Sequence, residues 1–317
     1  MTDEEDAPSV ALGAGREFDA IRSMLRVWGP RAHGIGDDAA VIDVPAGDRL
    51  VASTDASVEG VHFRRDWLAP REIGARAAAA ALSDLAAMAA APLGMLLALG
   101  VSPGWRDELD ELARGVGEAA ERAGCPILGG NVSAAAELSL TLTALGSTPR
   151  PLGRNGLRAG DVLYVTGALG GPGAALGALR AGGTPRALHR ARFAAPAPRI
   201  AEARWLADAG ARAGIDVSDG VVADAGHLAA ASGVHIVLEP AALPCIEGAT
   251  PELAATSGEE YELLVGFSSR ALPDVRAFER RFGIALTAVG RASEGSGVVV
   301  ERDGARVDPL PGHDHLS

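Results

Sequence analysis

The chain has 317 residues and a net charge of −12, and its 29 basic side chains are all arginine because the sequence contains no lysine. That length allows two domains of ordinary size and a sizeable core. The acidic balance argues against a general nucleic-acid binder, and the missing lysine excludes a P-loop lysine on a triphosphate, a kinase-type strand lysine and a lysine Schiff base.

In chain order, Phe18, Ile21, Leu25 and Trp28 recur at helical spacing and predict a helix near Glu17 to Trp28. The GIGDD turn at 34–38 follows it. Ala39 to Asp43 and Arg49 to Ser53 read as strands, the second ending in Ser53-Thr54-Asp55. An alanine-rich helix from about Glu72 to Ala91 is expected to stop at Pro92, because proline disfavours the helical conformation in the residue before it. Leu96 to Val101 reads as a strand, and Asp107 to Ala123 as a helix closed by Gly124. Leu138 to Leu145 alternates apolar and polar residues, the pattern of a half-buried strand. A stretch dense in Gly, Pro and Arg at 146–160 marks an inter-domain linker, which places the domains at 1–148 and 149–317. Beyond it, Val162 to Thr166, Gly214 to Ser218, Val234 to Leu238 and Tyr261 to Phe267 read as strands. GALGGPG at 167–173 reads as a turn and helix start, and a further helix is expected near Val221 to Ala231.

The most lipid-like window, Leu85 to Val101, is interrupted by Pro92 and Gly94 and preceded by Asp84, so it reads as helix, turn and strand rather than a membrane span. The start MTDEEDAPSV is acidic where a signal peptide is basic, which makes a cytoplasmic protein the expectation. Cys125 and Cys245 lie far apart without CxxC spacing or an adjacent His, and read as small buried hydrophobes.

The placement of the acids is informative. Asp84 interrupts AAAAALSDLAAMAAA, and a helix that is apolar nearly all round is normally buried. A buried carboxylate costs several kcal/mol unless a cation or donor replaces its water, so something positive should face Asp84, whether a metal ion or an arginine such as Arg76. GIDVSDG sets Asp216 and Asp219 at a strand-to-helix turn, where Asp219 could also cap the next helix. In GIGDDAAVI, Gly34 and Gly36 permit a tight turn that carries two adjacent carboxylates. STDASVEGVHF delivers hydroxyl, hydroxyl and carboxylate from a strand. Oxygen-only donors of this kind suit Mg2+ shared with phosphates, and hence phosphoryl transfer from a nucleotide. In CPILGGNVS, Gly129 and Gly130 allow close backbone approach to phosphate, and Asn131 offers a neutral oxygen or an amide donor; a plain turn is the simpler alternative.

Taken together and in order, GIGDDAAVI, STDASVEGVHF, LSDLAAM, PILGGN, GLRAGDVLYVTGALG, IDVSDG and SGEEYELL resemble thiamine-monophosphate kinase, a family of the aminoimidazole ribonucleotide synthetase superfamily. The resemblance implies an α+β N-terminal domain that dimerises and an α/β C-terminal domain. It implies ATP- and Mg2+-dependent phosphorylation of thiamine monophosphate to thiamine diphosphate, by direct in-line transfer without a phosphoenzyme. Carried over by position, Asp38, Ser53, Thr54, Asp55, Asp84, Asp216 and Asp219 match metal ligands, with Asp37 as a shared or supporting one. Gly130, Arg154 and Ser218 match nucleotide contacts, and His62 and Glu259 match substrate contacts. The implied partners are ATP, thiamine monophosphate and a second copy of the chain.

Three segments depart from the family's pattern. Asn131 stands where GGDT has its Asp, so one expected metal and nucleotide ligand is neutral. SGEEYEL at 257–263 replaces GGEDYEL, and His313 stands in place of an aromatic substrate contact. Two other readings follow from these departures: a related ATP-using enzyme with a different acceptor, and a nucleotide-binding protein that has lost catalysis.

Overall fold

The structure, a computed structural model, describes residues 15–36, 38–302 and 305–307. The chain forms two compact units, one comprising Met1–Leu85 with Ala90–Pro149 and the other Ala86–Ala89 with Arg150–Ser317.

The first unit contains α1 (Arg16–Trp28), β1 (Arg49–Val58), α2 (Pro70–Ala87), β2 (Ala91–Val101), α3 (Leu109–Ala123), β3 (Ile127–Ala134) and β4 (Ser139–Thr148). Its sheet runs β1-β4-β2-β3, antiparallel except for the β2–β3 pair. The period of two along β4 buries Leu140, Leu142 and Ala144, and their register partners on β2, Leu99, Leu97 and Met95, are buried with them. The alanine run of α2 is buried from Ala77 through Leu85 except at Asp84, as its uniformly apolar composition requires. Trp28 pins α1 to α3 by donating from its indole N–H to the carbonyl of Ala113 at 2.8 Å. Gly124 closes α3 at φ +63.

Three local expectations are corrected. Residues 39–43 form no strand, and Val41 is 93% exposed, so this apolar run has neither ladder nor core to hold it. Asp55 and its two predecessors lie inside β1, which continues to Val58. Helix α2 ends at Ala87, before the proline that was expected to stop it. Pro92 instead occupies β2, at a register shift where the absent N–H breaks no regular ladder.

The second unit contains β5 (Val162–Thr166), α4 (Gly171–Arg180), α5 (Ala187–Ala194), α6 (Ile200–Asp208), β6 (Ala213–Asp216), α7 (Val221–Ser232), β7 (His235–Leu238), α8 (Pro251–Thr256), β8 (Leu263–Phe267), α9 (Val275–Phe282), β9 (Leu286–Ser293), β10 (Gly297–Arg302) and β11 (Ala305–Val307). The seven strands run β11-β10-β7-β9-β5-β8-β6, with β7 and β10 parallel and the other pairs antiparallel. Leu163, Val165, Ile215, Leu264 and Val289 from the sheet pack with Val221, Ala225 and Leu228 of α7 in one core. This packing fixes the short turn between β6 and α7, which carries Ser218 and Asp219.

Both cysteines are free, and burial pushes the Cys125 thiol up to about 12. Among the described residues no helix is long and apolar enough to cross a membrane.

Candidate nucleotide and metal site

In the first unit the motif residues fall into two groups. Strand β1 alternates, so Ser53 and Asp55 share one face and Thr54 takes the other. The Ser53 hydroxyl donates to the Asp84 carboxylate on α2, which brings LSDLAAM and STDAS together. Asp55 accepts the Ala56 N–H at 2.8 Å. The hydroxyl of Thr54 instead pairs at 2.9 Å with Thr143, its register partner on β4, and is not part of the Ser53–Asp84 group. His62 follows β1 in a turn and accepts the Val58 N–H at Nδ1 over 3.2 Å.

The second group is a cavity of about 400 Å³ beneath α1. Phe18, Ile21 and Leu25 supply an apolar wall, and Asp38, Gly130 and Asn131 supply polar lining. Gly129 and Gly130 are not a turn but part of β3, paired with Leu96 and Leu97 of β2. A Cβ on Gly130 would lie 1.8 Å from the Leu97 carbonyl oxygen, so the glycine is required by this close strand approach.

In the second unit, IDVSDG and SGEEYEL are joined through their backbones. Beyond the β6–β8 ladder, Val217 donates to Glu262 at 2.7 Å, Tyr261 to Val217 at 2.9 Å and Glu259 to Ser218 at 2.7 Å. A Cβ on Gly258 would meet the Ser218 carbonyl at 2.6 Å. The loop turns with Glu259 at φ +59 and Tyr261 at φ +52, a conformation that non-glycine residues adopt only when their surroundings impose it. Ser218, Asp219 and Glu259 are thereby held in one neighbourhood.

Beneath this loop lies a polar network that sequence reasoning missed. Glu262 is fully buried; it accepts from Arg192 at 2.7 Å, from Arg199 at 2.8 and 2.6 Å, and from the Thr166 hydroxyl at 2.6 Å. Glu260 is buried too. Its Oε1 accepts the Ser257 hydroxyl and the Gly170 N–H, each at 2.6 Å, and Ser257 in turn accepts the Gly173 N–H at 3.0 Å. The start of α4 is thus capped from the distant SGEEYEL loop, and the Ser and Glu that depart from the family's pattern bond to each other. Burial pushes the Glu260 carboxyl up to about 7.

Asp219 does not cap α7, whose N-cap is Gly220 without a side-chain cap. Instead Asp224, one turn into the helix, accepts the N–H groups of Ser218 and Asp219 at 3.1 and 3.2 Å. Burial, then the charges of Asp216 and Asp219, push the Asp224 carboxyl up to about 8. Asp224 was missed although VVADAGHLAA carries the signal that singled out Asp84, a lone carboxylate inside an apolar helix. Arg154 is exposed and makes no ion pair among the described residues, and its carbonyl is fixed by the Ser232 hydroxyl at 2.8 Å. Asp161, the acid of the RNGLRAGD motif, is structural: it accepts from Arg212 at 2.8 Å and from the Arg158 N–H at 2.9 Å. Asp37 and His313 lie outside the described residues.

Family models match twice: "AIR synthase related protein, N-terminal domain" over residues 36–148 and the corresponding C-terminal domain over residues 158–303. Thiamine-monophosphate kinase of Rhodopirellula baltica is 36% identical over 291 residues, covering 86% of each chain. The crystal structure of thiamine-monophosphate kinase from Stenotrophomonas maltophilia superimposes with a TM-score of 0.81 at 30% identity, over 89% of this chain and 97% of that one. A structure described as "AaThiL complexed with AMPPCP and TMP" superimposes with a TM-score of 0.75 at 31% identity, over 93% and 94% of the two chains.

Proposed function

The chain belongs to the thiamine-monophosphate kinases, within the AIR synthase related proteins, and from that premise we propose how its own residues divide the work. The reaction is ATP-dependent phosphorylation of thiamine monophosphate: the terminal phosphoryl group of ATP passes to a phosphate oxygen of the acceptor, giving thiamine diphosphate and ADP.

The cavity beneath α1 receives the nucleotide, with its apolar wall against the base and Gly130 and Asn131 against the phosphates. Arg154 supplies positive charge that lysine provides in other kinases, and Ser218 adds a polar contact. Glu259 and His62 face the acceptor, the carboxylate suiting the cationic thiamine ring system.

The donor chemistry fits Mg2+. The ligands are oxygens without a thiolate among them, and burial, with the neighbouring charges of Asp216 and Asp219 adding to it, raises the Asp224 carboxyl to about 8. Asp38, Ser53, Thr54, Asp55 and Asp84, with Asn131 as a neutral donor, are one set of residues that would hold it, and Asp216 and Asp219 are another. Bound there, Mg2+ neutralises charge on the phosphate oxygens. The protein's part is positioning: Ser53 orients the Asp84 carboxylate, and the paired 215–220 and 257–263 segments hold Ser218 and Glu259 in register. Transfer is direct, and a homodimer in the cytoplasm is the working form.

The observation that carries this reading is the backbone pairing of the Ser218–Asp219 turn with the Glu259 loop, which joins a nucleotide-contact motif to an acceptor-contact motif. The test is product analysis. Purified protein with ATP, Mg2+ and thiamine monophosphate should form ADP and thiamine diphosphate in equal amounts; ATP consumption with other acceptors only, or nucleotide binding without turnover, would overturn it.

A further inference from the structure

The first turns of α7 hold a group of donors that the oxygen-only reading leaves unused. Asp224 and His227 are three residues apart on α7 and therefore on one helix face. With Asp219 they offer ligand atoms that all lie within 4.8 Å of one another. Asp224 is 1% exposed, and one of its carboxylate oxygens, Oδ2, accepts the two turn N–H groups. The other, Oδ1, is buried without a hydrogen-bond partner. A buried carboxylate oxygen left in this state is costly, and Asp216 and Asp219 add negative charge to the same space. His227 is exposed, so its ring can rotate toward the two carboxylates and the group is open to solvent.

We propose that Asp219, Asp224 and His227 form a binding site for a borderline divalent cation of the Mn2+ to Zn2+ class, filled in the absence of nucleotide. The imidazole sets this site apart. Carboxylate, hydroxyl and amide oxygens suit Mg2+, whereas a nitrogen donor shifts preference along the series toward Zn2+. Metal–ligand bonds of about 2.0–2.2 Å place three donors roughly 3 Å apart around one ion, so from separations within 4.8 Å the group need contract by at most about 2 Å, through small rotations of the His227 and Asp219 side chains. The ion would lock the Ser218–Asp219 turn to the first turns of α7. The proposal shares Asp219 with the kinase reading, so its test is read without nucleotide and apart from turnover.

The full-length protein is titrated with Mn2+ in excess Mg2+, and the free ion is followed by electron paramagnetic resonance. Wild-type protein should bind Mn2+ despite the Mg2+, and His227→Ala should weaken that binding about tenfold or more. Asp224→Asn should weaken it similarly; because Asn retains one acceptor for the turn N–H groups, the fold can persist, and circular dichroism checks that. Equal Mn2+ binding by wild type and His227→Ala, or complete displacement of Mn2+ by Mg2+, would overturn the site. Thiamine diphosphate formation is measured in parallel. His227-dependent Mn2+ binding without turnover keeps the site and removes the kinase reading, and turnover without such binding removes the site alone.

Discussion

The hydroxyl of Ser53 on β1 donates to the carboxylate of Asp84 on α2, across 31 residues of sequence. The bond fixes one Asp84 oxygen and gives the lone acid of an apolar helix a defined direction. Replacing Asp84 by Asn keeps an acceptor for Ser53 and removes the charge. Asp84→Asn should therefore lower thiamine diphosphate formation about 100-fold or more while leaving the urea midpoint nearly unchanged. Ser53→Ala should lower it less. Coupled turnover assays and urea titrations of both variants check this.

Glu262 anchors the 257–263 loop from below. Two arginines and a threonine hydroxyl converge on a carboxylate with no solvent exposure. Removing one member of a buried charged group leaves the others uncompensated, at a cost of about 3–5 kcal/mol. Glu262→Gln should lose stability on this scale in urea denaturation, and retained wild-type stability would show that the network contributes little.

The raised Glu260 carboxyl makes stability depend on pH with a known sign. Burial is the main cause; the bonds from Ser257 and Gly170 and the charge of Arg192 oppose it, and Glu262 adds to it. A carboxyl moved from 4.5 to about 7 binds its proton more tightly in the folded state. Its stabilising contribution is full below the unfolded value and is lost as pH rises through about 7, a difference on the order of 3 kcal/mol. Between about pH 5 and 8, Glu260→Gln should lose less stability than wild type. Asp224 tilts both proteins the same way and cancels in the comparison. Thermal unfolding at several pH values reads the difference.

Adjacent glycines on β3 should respond unequally to alanine. Gly129 and Gly130 have φ of +152 and +156, but a Cβ on Gly129 meets only the Leu96 side chain at 3.6 Å, whereas one on Gly130 strikes the Leu97 backbone at 1.8 Å. Gly129→Ala should cost about 1–2 kcal/mol. Gly130→Ala should cost about 3 kcal/mol or more, because β2 and β3 must separate. Urea midpoints of the two variants give the comparison.

Much of this was legible in the sequence because it is local. The helical spacing of Phe18, Ile21, Leu25 and Trp28 gave α1, Gly124 marked the end of α3, and alternation from Leu138 gave β4. Asp84 stood out by its surroundings alone. Pairings between distant segments were not legible: nothing near Thr54 says that Thr143 stands across from it on the face away from Asp84. The burial of Glu260 and Glu262 was not legible either, because their partners Gly170, Thr166, Arg192 and Arg199 come from well upstream. Asp224 carried a readable local signal, masked by the more obvious acids of the preceding turn.

The clasp between residues 215–220 and 257–263 also bears on how such an enzyme can change over generations. Ser218 and Glu259 touch through main-chain atoms that no side-chain substitution can delete, so a variant that reshapes the 257–263 loop shifts the Ser218–Asp219 turn with it. Drift toward a new acceptor therefore has to begin elsewhere, at positions such as His62 whose backbone is not shared with this pairing.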